Sequence, residues 1–223
     1  MAKSKVVYLS FPLAPKIPTY GQFDAELQIK SIKTITNGDS CNTFHIGLGN
    51  HWGTHVDAPK HFFADGQDIA SFGPQTWIFD NPQMLNIQIP DDFLIRPNHI
   101  LNKINKKTDF LIFFTGFCHN RNKPEYSFAN PGIHSDTAQF LRSNYQNIRA
   151  VGIDSVSISH FPSKEEGRRA HQTFLSPNIP GHPILLIEDM DLRQVSAGIK
   201  RATVLPLRMQ TIDSAPCTIL GFF

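Results

Sequence analysis

The chain has 223 residues, enough for one sizeable hydrophobic core. Apolar residues make up 40% of it and charged residues 18%, which is typical of a folded protein and argues against intrinsic disorder. The formal net charge is only +2, and the basic residues are scattered, so the composition gives no support for nucleic-acid binding.

Cysteine usage and hydropathy predict the compartment. The three cysteines, Cys41, Cys118 and Cys217, share no close spacing, which indicates reduced thiols rather than a disulfide framework. No run of about twenty apolar residues occurs, and residues 1–13 contain only a short apolar stretch, too brief for a signal peptide. We therefore expect a cytoplasmic protein without a membrane or nucleic-acid partner.

The first third of the chain reads as strand-rich. A short strand is predicted over residues 6–9, followed by an irregular segment over 14–27. A second strand is predicted over 27–35, ending at the turn signal Asn37-Gly38-Asp39. A third strand is predicted through 44–48, with its even-numbered apolar side chains facing the core.

From residue 84 the pattern alternates between strands and helices. The predicted strands cover residues 84–89, 110–115, 150–153, 184–187 and 203–212. The predicted helices cover 97–106, 135–146, 163–175 and 191–198, the third starting with a Ser163/Glu166 capping box. This order predicts an α/β fold over residues 1–223, a single domain with a partly mixed sheet and flanking helices.

The segment from His51 to His61 is the strongest functional signal. His51, His55, Asp57 and His61 all occupy odd-numbered positions, and an extended backbone sends such side chains to one face. Two imidazoles and a carboxylate on one face predict a divalent-metal site with His51, His55 and Asp57 as ligands. His61 follows Pro59, which redirects the chain, so His61 is either a further ligand or a general base.

Other metal motifs fit less well. A zincin helix requires a glutamate directly after its first histidine, and Trp52 stands at that position. The facial triad of iron oxygenases remains a chemical alternative because it also combines two histidines with one carboxylate. Further candidate ligands are His171 on the helix over 163–175 and Glu188 at a strand's carboxyl end, with His182 as an alternative donor.

The pattern His51-x-Gly-Thr-His55-x-Asp57-x-Pro-x-His61-Phe62 resembles the signature of the metal-dependent cyclase and kynurenine formamidase family. The resemblance covers most of the chain. Further similar segments are Tyr8–Leu13, Thr115-Gly116, Gly152–Ser155, Glu165–His171, Leu185–Asp189, Leu205–Leu207 and Asp213–Pro216.

The resemblance implies a swivelling β/β/α domain and a homodimer or larger homo-oligomer, with a neighbouring chain near the pocket. It makes His51, His55 and Asp57 ligands of one divalent ion, zinc or manganese. Asp57 would bridge to a second ion bound by His171 and Glu188, in members that hold two. His61 becomes the general acid/base. The segment over 176–182 reads as an extra loop, which leaves His171 and His182 as alternatives.

The resemblance also implies an activity: hydrolysis of a C–N bond in an amide or cyclic amide by metal-activated water. An aromatic amide such as N-formylkynurenine, an intermediate of tryptophan catabolism, would be the arylformamidase-like substrate. Two alternatives are a catalytically silent metal or small-molecule binding protein, and a cyclase or oxygenase that uses the same metal site.

Overall fold

The computed structural model describes residues 5–195 and 198–223. The strands in these residues are β1 (Val6–Tyr8), β2 (Lys16–Thr19), β3 (Gln22–Glu26), β4 (Gln28–Lys33), β5 (Thr43–Gly47), β6 (His55–Asp57), β7 (Ile78–Phe79), β8 (Pro82–Asn86), β9 (Leu94–Ile95), β10 (Phe110–Phe114), β11 (Gly132–Ile133), β12 (Ala150–Ile153), β13 (Leu185–Glu188), β14 (Arg201–Pro206) and β15 (Ser214–Phe222). The α-helices are α1 (Pro97–Ile100), α2 (Glu125–Phe128), α3 (Ser135–Asn144) and α4 (Lys164–Leu175). Short 3₁₀ helices cover Ile35–Asn37, Pro59–His61, Ile69–Ser71, Pro74–Trp77, Phe117–Asn120 and Phe161–Ser163.

One mixed sheet organises the molecule. Its strand order is β7-β14-β15-β6-β13-β12-β10-β8, and β1 pairs with the far end of β15. The strands β8, β10, β12 and β13 run parallel, whereas β6, β14 and β15 pair antiparallel with their neighbours. The α/β fold class with a mixed sheet and flanking helices is confirmed.

The sheet separates two hydrophobic clusters. Along β10, the alternate side chains Phe110 and Ile112 enter one cluster, and Leu111 and Phe113 enter the other. Helices α3 and α4 cover the second cluster, in which Phe174 is fully buried. Burying an apolar side chain of this size contributes about 1.5–3 kcal/mol, so this packing fixes α4 against the sheet.

The two longer helices match the sequence prediction closely, and the others do not. Helix α3 ends two residues before the predicted boundary, and α4 starts one residue after it, whereas α1 covers only four residues. Residues 191–195 contain a turn at 193–194 and no helix, so the predicted helix over 191–198 is wrong there; residues 196 and 197 lie outside the described part of the chain. The Asp191 backbone N–H donates a hydrogen bond to the Leu9 carbonyl.

No helix in the described part of the chain is long and apolar enough to cross a membrane.

The predicted Ser163/Glu166 capping box does not form. Ser163 precedes α4, but its side chain makes no capping hydrogen bond. The Glu166 carboxylate instead accepts a hydrogen bond of 2.7 Å from the Ser135 backbone N–H at the start of α3, and it pairs with Arg169. The tertiary contact between α3 and α4 thus replaces the local one.

The strands over the βαβ region agree with the prediction, but both ends of the chain need correction. Residues 14–27, expected to be irregular, contain the β2–β3 hairpin. The strand predicted over 203–212 ends at Pro206. The nine-residue β15 was missed; Pro216 within it is atypical of a central strand.

The burial predicted for the β4–β5 hairpin differs most from the structure. Strand β5 forms where predicted, yet Phe44 and Ile46 are 52% and 55% exposed. Ile29 lies opposite Ile46 in the register and is also exposed. Alternation therefore identified the strand correctly, but its apolar face does not point into the core.

Candidate metal centre

The predicted site residues converge at the edge of the sheet where the parallel strands end. Glu188 is the last residue of β13, at the carboxyl end, where open α/β sheets bind their ligands. A cavity of about 610 Å³ opens there. Its lining includes all six residues singled out in the sequence, namely His51, His55, Asp57, His61, His171 and Glu188.

Strand register places the first two ligand regions together. Strand β6 lies between β13 and β15, and His55 pairs directly with Glu188. Directly opposed residues in an antiparallel pair share one face of the sheet with their Cβ atoms about 5 Å apart. His55 Nε2 consequently lies 3.3 Å from Glu188 Oε2, and both side chains are buried.

Asp57 lies at the centre of the cluster. Its Oδ1 is 3.2 Å from His51 Nδ1 and 3.7 Å from His55 Nε2, and its Oδ2 is 3.7 Å from His171 Nε2. Both oxygens are buried, and neither has a hydrogen-bond partner within the described ranges; the same holds for His55 Nε2. Burying a carboxylate without a partner costs free energy, and a cation bound by these donor atoms would remove that cost. The residues therefore fit a divalent metal ion.

The donor atoms form two groups that share Asp57. One group is His51, Asp57 and His61; the other is His55, Asp57 and Glu188. Within each group, the ligand atoms lie within 4.8 Å of one another. This geometry is compatible with the bridging role that the family resemblance implies for Asp57, but it groups His55 with Glu188 and His51 with His61, which differs from the ligand sets that the resemblance implies.

The backbone brings these groups together differently from the extended run we expected. Only His55–Asp57 is a strand; His51 lies in a turn, and Pro59–His61 is a 3₁₀ helix. Gly53 has a φ of +65°, a left-handed conformation that bends the chain just before β6. The four side chains lie together as the sequence predicts, but a turn and a 3₁₀ helix bring them there, in place of one continuous extended strand.

Hydrogen bonds to backbone carbonyls orient two of the imidazoles. His55 Nδ1 donates to the Gly53 carbonyl at 2.7 Å, and His171 Nδ1 donates to the Gly167 carbonyl at 2.9 Å. These contacts leave Nε2 of each ring directed at the carboxylates, the tautomer that a metal ligand requires. His171 Nε2 lies 3.2 Å from Glu188 Oε1.

The structure separates His171 from the alternative donor His182. His171 is buried on α4 beside Asp57 and Glu188. His182 lines a different surface cavity, and its Nε2 contacts the Ile148 carbonyl at 2.8 Å. Of the two, only His171 lies at the candidate centre.

Asp213 was missed as a site residue. Its Oδ2 accepts a hydrogen bond of 2.6 Å from His61 Nδ1, and its Oδ1 accepts one of 2.7 Å from Asn50 Nδ2. Asp213 belongs to the Asp213–Pro216 segment of the family resemblance, which was the available signal. The contact fixes the His61 ring and leaves its Nε2 as the free nitrogen.

The charges of the cluster favour a bound cation. Burial opposes ionisation of His55, but its close contacts with the Glu188 and Asp57 carboxylates raise the pKa of His55 to about 9. Burial likewise opposes ionisation of Glu188, yet its contacts with the His171 and His55 imidazoles lower the pKa of Glu188 to about 2. The carboxylates thus remain ionised and attract positive charge, which a divalent ion supplies.

Aromatic side chains form part of the cavity wall. Phe62 packs on His61 and His171 with centroid distances of 4.6 and 5.3 Å, and Tyr20 also lines the cavity. Trp52 and Phe63 pack in hydrophobic clusters and are not among the residues that line the described cavity.

Known proteins are similar to this chain in sequence and in fold. The model of the Cyclase family matches residues 7–160. Cyclase-like protein 1 of Arabidopsis thaliana is 27% identical, over 95% of this chain and 82% of that protein. Two similar solved structures are a predicted metal-dependent hydrolase from Bacillus stearothermophilus (24% identity, TM-score 0.77, 99% of each chain) and isatin hydrolase A from Labrenzia aggregata (18%, TM-score 0.78, 98% of this chain and 93% of that one). The family model matches more than half of the residues of this chain, and the chain therefore belongs to the Cyclase family.

Proposed function

We propose that the chain is a metal-dependent hydrolase that cleaves the C–N bond of an amide or cyclic amide. The observation that carries this proposal is the buried Asp57 carboxylate, surrounded by three imidazoles and lacking hydrogen-bond partners in the described ranges. The donor set contains only nitrogen and oxygen, which suits zinc and also manganese. The similarity in fold to an isatin hydrolase supports a cyclic amide as one substrate class.

His51, His55 and Asp57 would hold one ion, and His171 and Glu188 would complete a second position that shares Asp57. A bound divalent ion supplies Lewis-acid polarisation of the carbonyl and acidifies water at the site. The remaining chemistry belongs to the side chains. Glu188 is itself fixed by Ser157 Oγ and the Ile158 N–H, at 2.9 and 2.7 Å. That support holds the donor geometry before substrate binds.

His61 would transfer the proton. With Nδ1–H donated to Asp213, the Nε2 lone pair is free to take a proton from the attacking water. The water oxygen forms the new C–O bond, the C–N bond breaks, and the proton passes from His61 to the leaving nitrogen. Phe62 excludes water from one side of His61 and offers a flat apolar surface to an aromatic substrate.

The test combines metal analysis with activity. The purified protein is assayed with N-formylkynurenine and isatin before and after chelator treatment, and bound metals are measured by mass spectrometry. We expect hydrolysis that is lost with the metal and restored by zinc or manganese. Unchanged activity after complete metal removal would refute the mechanism. Metal and ligand binding without turnover would identify a binding protein, and oxygen uptake would identify an oxygenase.

We also propose that the chain forms a homodimer through the β4–β5 hairpin. Every residue of β4 is exposed, and the hairpin presents Ile29, Phe44 and Ile46 outward. An isolated two-stranded ribbon is at best marginally stable in water, so a covering surface is required. A second copy meets this need because a two-fold axis pairs the same apolar patch with itself.

Light scattering after size exclusion tests this assembly. Ile46→Lys is expected to yield monomer, whereas Leu101→Lys, at an equally exposed apolar residue elsewhere, is expected to leave the dimer intact. A monomeric parent protein would refute the proposal.

A further inference from the structure

Three polar side chains form a stripe along one face of helix α4, with His171 at one end of it. Lys164, Arg168 and His171 follow spacings of four and three residues, so their side chains share one helix face. All three line the same cavity of about 610 Å³. His171 lies at the buried end, and Lys164 and Arg168 are exposed towards the helix N-terminus. The stripe therefore runs from the candidate metal centre to the cavity entrance.

The positive charges at the entrance are available to a ligand. Lys164 Nζ lies 4.2 Å from the Phe161 ring centroid. Arg168 Nε is 4.0 Å from Glu165 Oε2, with both side chains more than 60% exposed, and such a surface pair contributes little.

The carboxylates that line the cavity interact with other groups than Lys164 and Arg168. Asp57 and Glu188 belong to the candidate metal centre, and Asp189 is held by Arg121 through contacts of 2.7 and 3.0 Å. These three are the carboxylates among the described lining residues. None of them offsets the charge of Lys164 or Arg168 at the entrance.

Helix geometry sets the distance between the two ends of the stripe. At 1.5 Å per residue, Arg168 precedes His171 by about 4.5 Å and Lys164 precedes it by about 10 Å along the axis. Helical side chains also lean towards the N-terminus, and the long side chains of Lys164 and Arg168 extend further in that direction than the shorter His171 side chain. A substrate with its carbonyl at the centre would place a group roughly 5–12 Å away beside these cations.

We propose that the preferred substrate is an amide that also carries a carboxylate, and that Lys164 and Arg168 determine this specificity. The inference rests on the hydrolysis proposed above and specifies its substrate class. The guanidinium of Arg168 suits the planar carboxylate, and Lys164 adds a flexible second charge. Phe62 and Tyr20 would flank the ring that connects the carboxylate to the scissile amide.

The test compares two substrates with the same skeleton, 3-(2-formamidophenyl)propanoate and its neutral primary amide. Formate release is measured, because the primary amide carries a second C–N bond. The metal-loaded protein is expected to hydrolyse the carboxylate with a kcat/KM at least about tenfold higher. Arg168→Gln and Lys164→Gln should each raise KM for the carboxylate severalfold and change KM for the neutral amide by a smaller factor. Lys107→Gln is the matched control because Lys107 precedes β10, at the opposite end of the sheet.

The outcomes separate the two proposals. Equal kcat/KM for both compounds would overturn the charge specificity while leaving the hydrolase intact. If neither compound is hydrolysed, calorimetric binding of 3-phenylpropanoate still tests the cations. Weaker binding in Arg168→Gln and Lys164→Gln but not in Lys107→Gln would support the inference; equal binding in all four proteins would overturn it.

Discussion

Asp213 Oδ2 lies 2.6 Å from His61 Nδ1, although the two residues are 152 positions apart in the chain. A carboxylate in this position selects the tautomer and orientation of an imidazole, so that the opposite nitrogen can accept a proton. Asn50 in turn fixes the carboxylate through its Oδ1. The pair gives His61 the geometry of a general base.

Replacing His61 by alanine should therefore remove turnover while retaining the metal. We expect kcat to fall by about 10²–10⁴-fold, the usual contribution of a positioned acid–base group. Metal content per chain, measured by mass spectrometry, should equal that of the parent protein. A loss of metal would identify His61 as a ligand, the alternative that its place in the His51–Asp57 group leaves open.

Asp213→Asn should lower kcat by roughly 10–10³-fold with little change in KM, because the amide no longer fixes the His61 tautomer. Asp213→Glu keeps the carboxylate and is expected to recover part of the lost rate. A purely structural role would predict equal losses in both variants, together with a lower melting temperature.

The choice between His171 and His182 can be tested by metal binding. His171→Asn should lower metal stoichiometry or affinity after dialysis, because its Nε2 faces Asp57 and Glu188. His182→Asn is expected to match the parent protein. Thermal shifts on metal addition give a second readout, since a ligand at 100 times its Kd stabilises the folded state by about 2.7 kcal/mol. Equal losses in both variants would contradict this assignment.

Glu166 should make the stability depend on pH. Burial opposes its ionisation, but hydrogen bonding from Ser135 and the pairing with Arg169 lower its pKa to about 2. Its contribution is therefore complete above the ordinary glutamate pKa of 4.5 and is lost as pH falls towards 2. Glu166→Gln should cost about 1–2 kcal/mol in the free energy of unfolding at pH 7. Denaturant titrations should show this difference shrinking below pH 4.5; a constant difference would refute the linkage.

Gly167→Ala should be destabilising, although alanine is the better helix former by about 1 kcal/mol. Its Cβ would lie 2.7 Å from Ser159 Cα, which is backbone and cannot rotate away. We expect a loss of roughly 1–3 kcal/mol from overpacking and, because His171 lies one turn further along α4, weaker metal binding. Gly73→Ala, where a new Cβ has open space, serves as the control. Equal stability of the two variants would argue against the close packing of α4.

The sequence by itself determined the α/β class, the central strands, and the candidate residues His51, His55, Asp57, His61, His171 and Glu188. These follow from local properties: side-chain alternation, the donor chemistry of a short segment, and a long motif that resembles one family. The same local rules placed Phe44 and Ile46 in the core, because alternation reports that a strand has an apolar face but not what covers it.

Only the tertiary structure decided how these residues meet. The pairing of His55 with Glu188 depends on β6 lying between β13 and β15, and the contact of His61 with Asp213 depends on where β15 begins. The choice of His171 over His182 depends on how α4 packs against the sheet. Each is a contact between distant segments, which chain pairing and core packing set and local pattern does not encode.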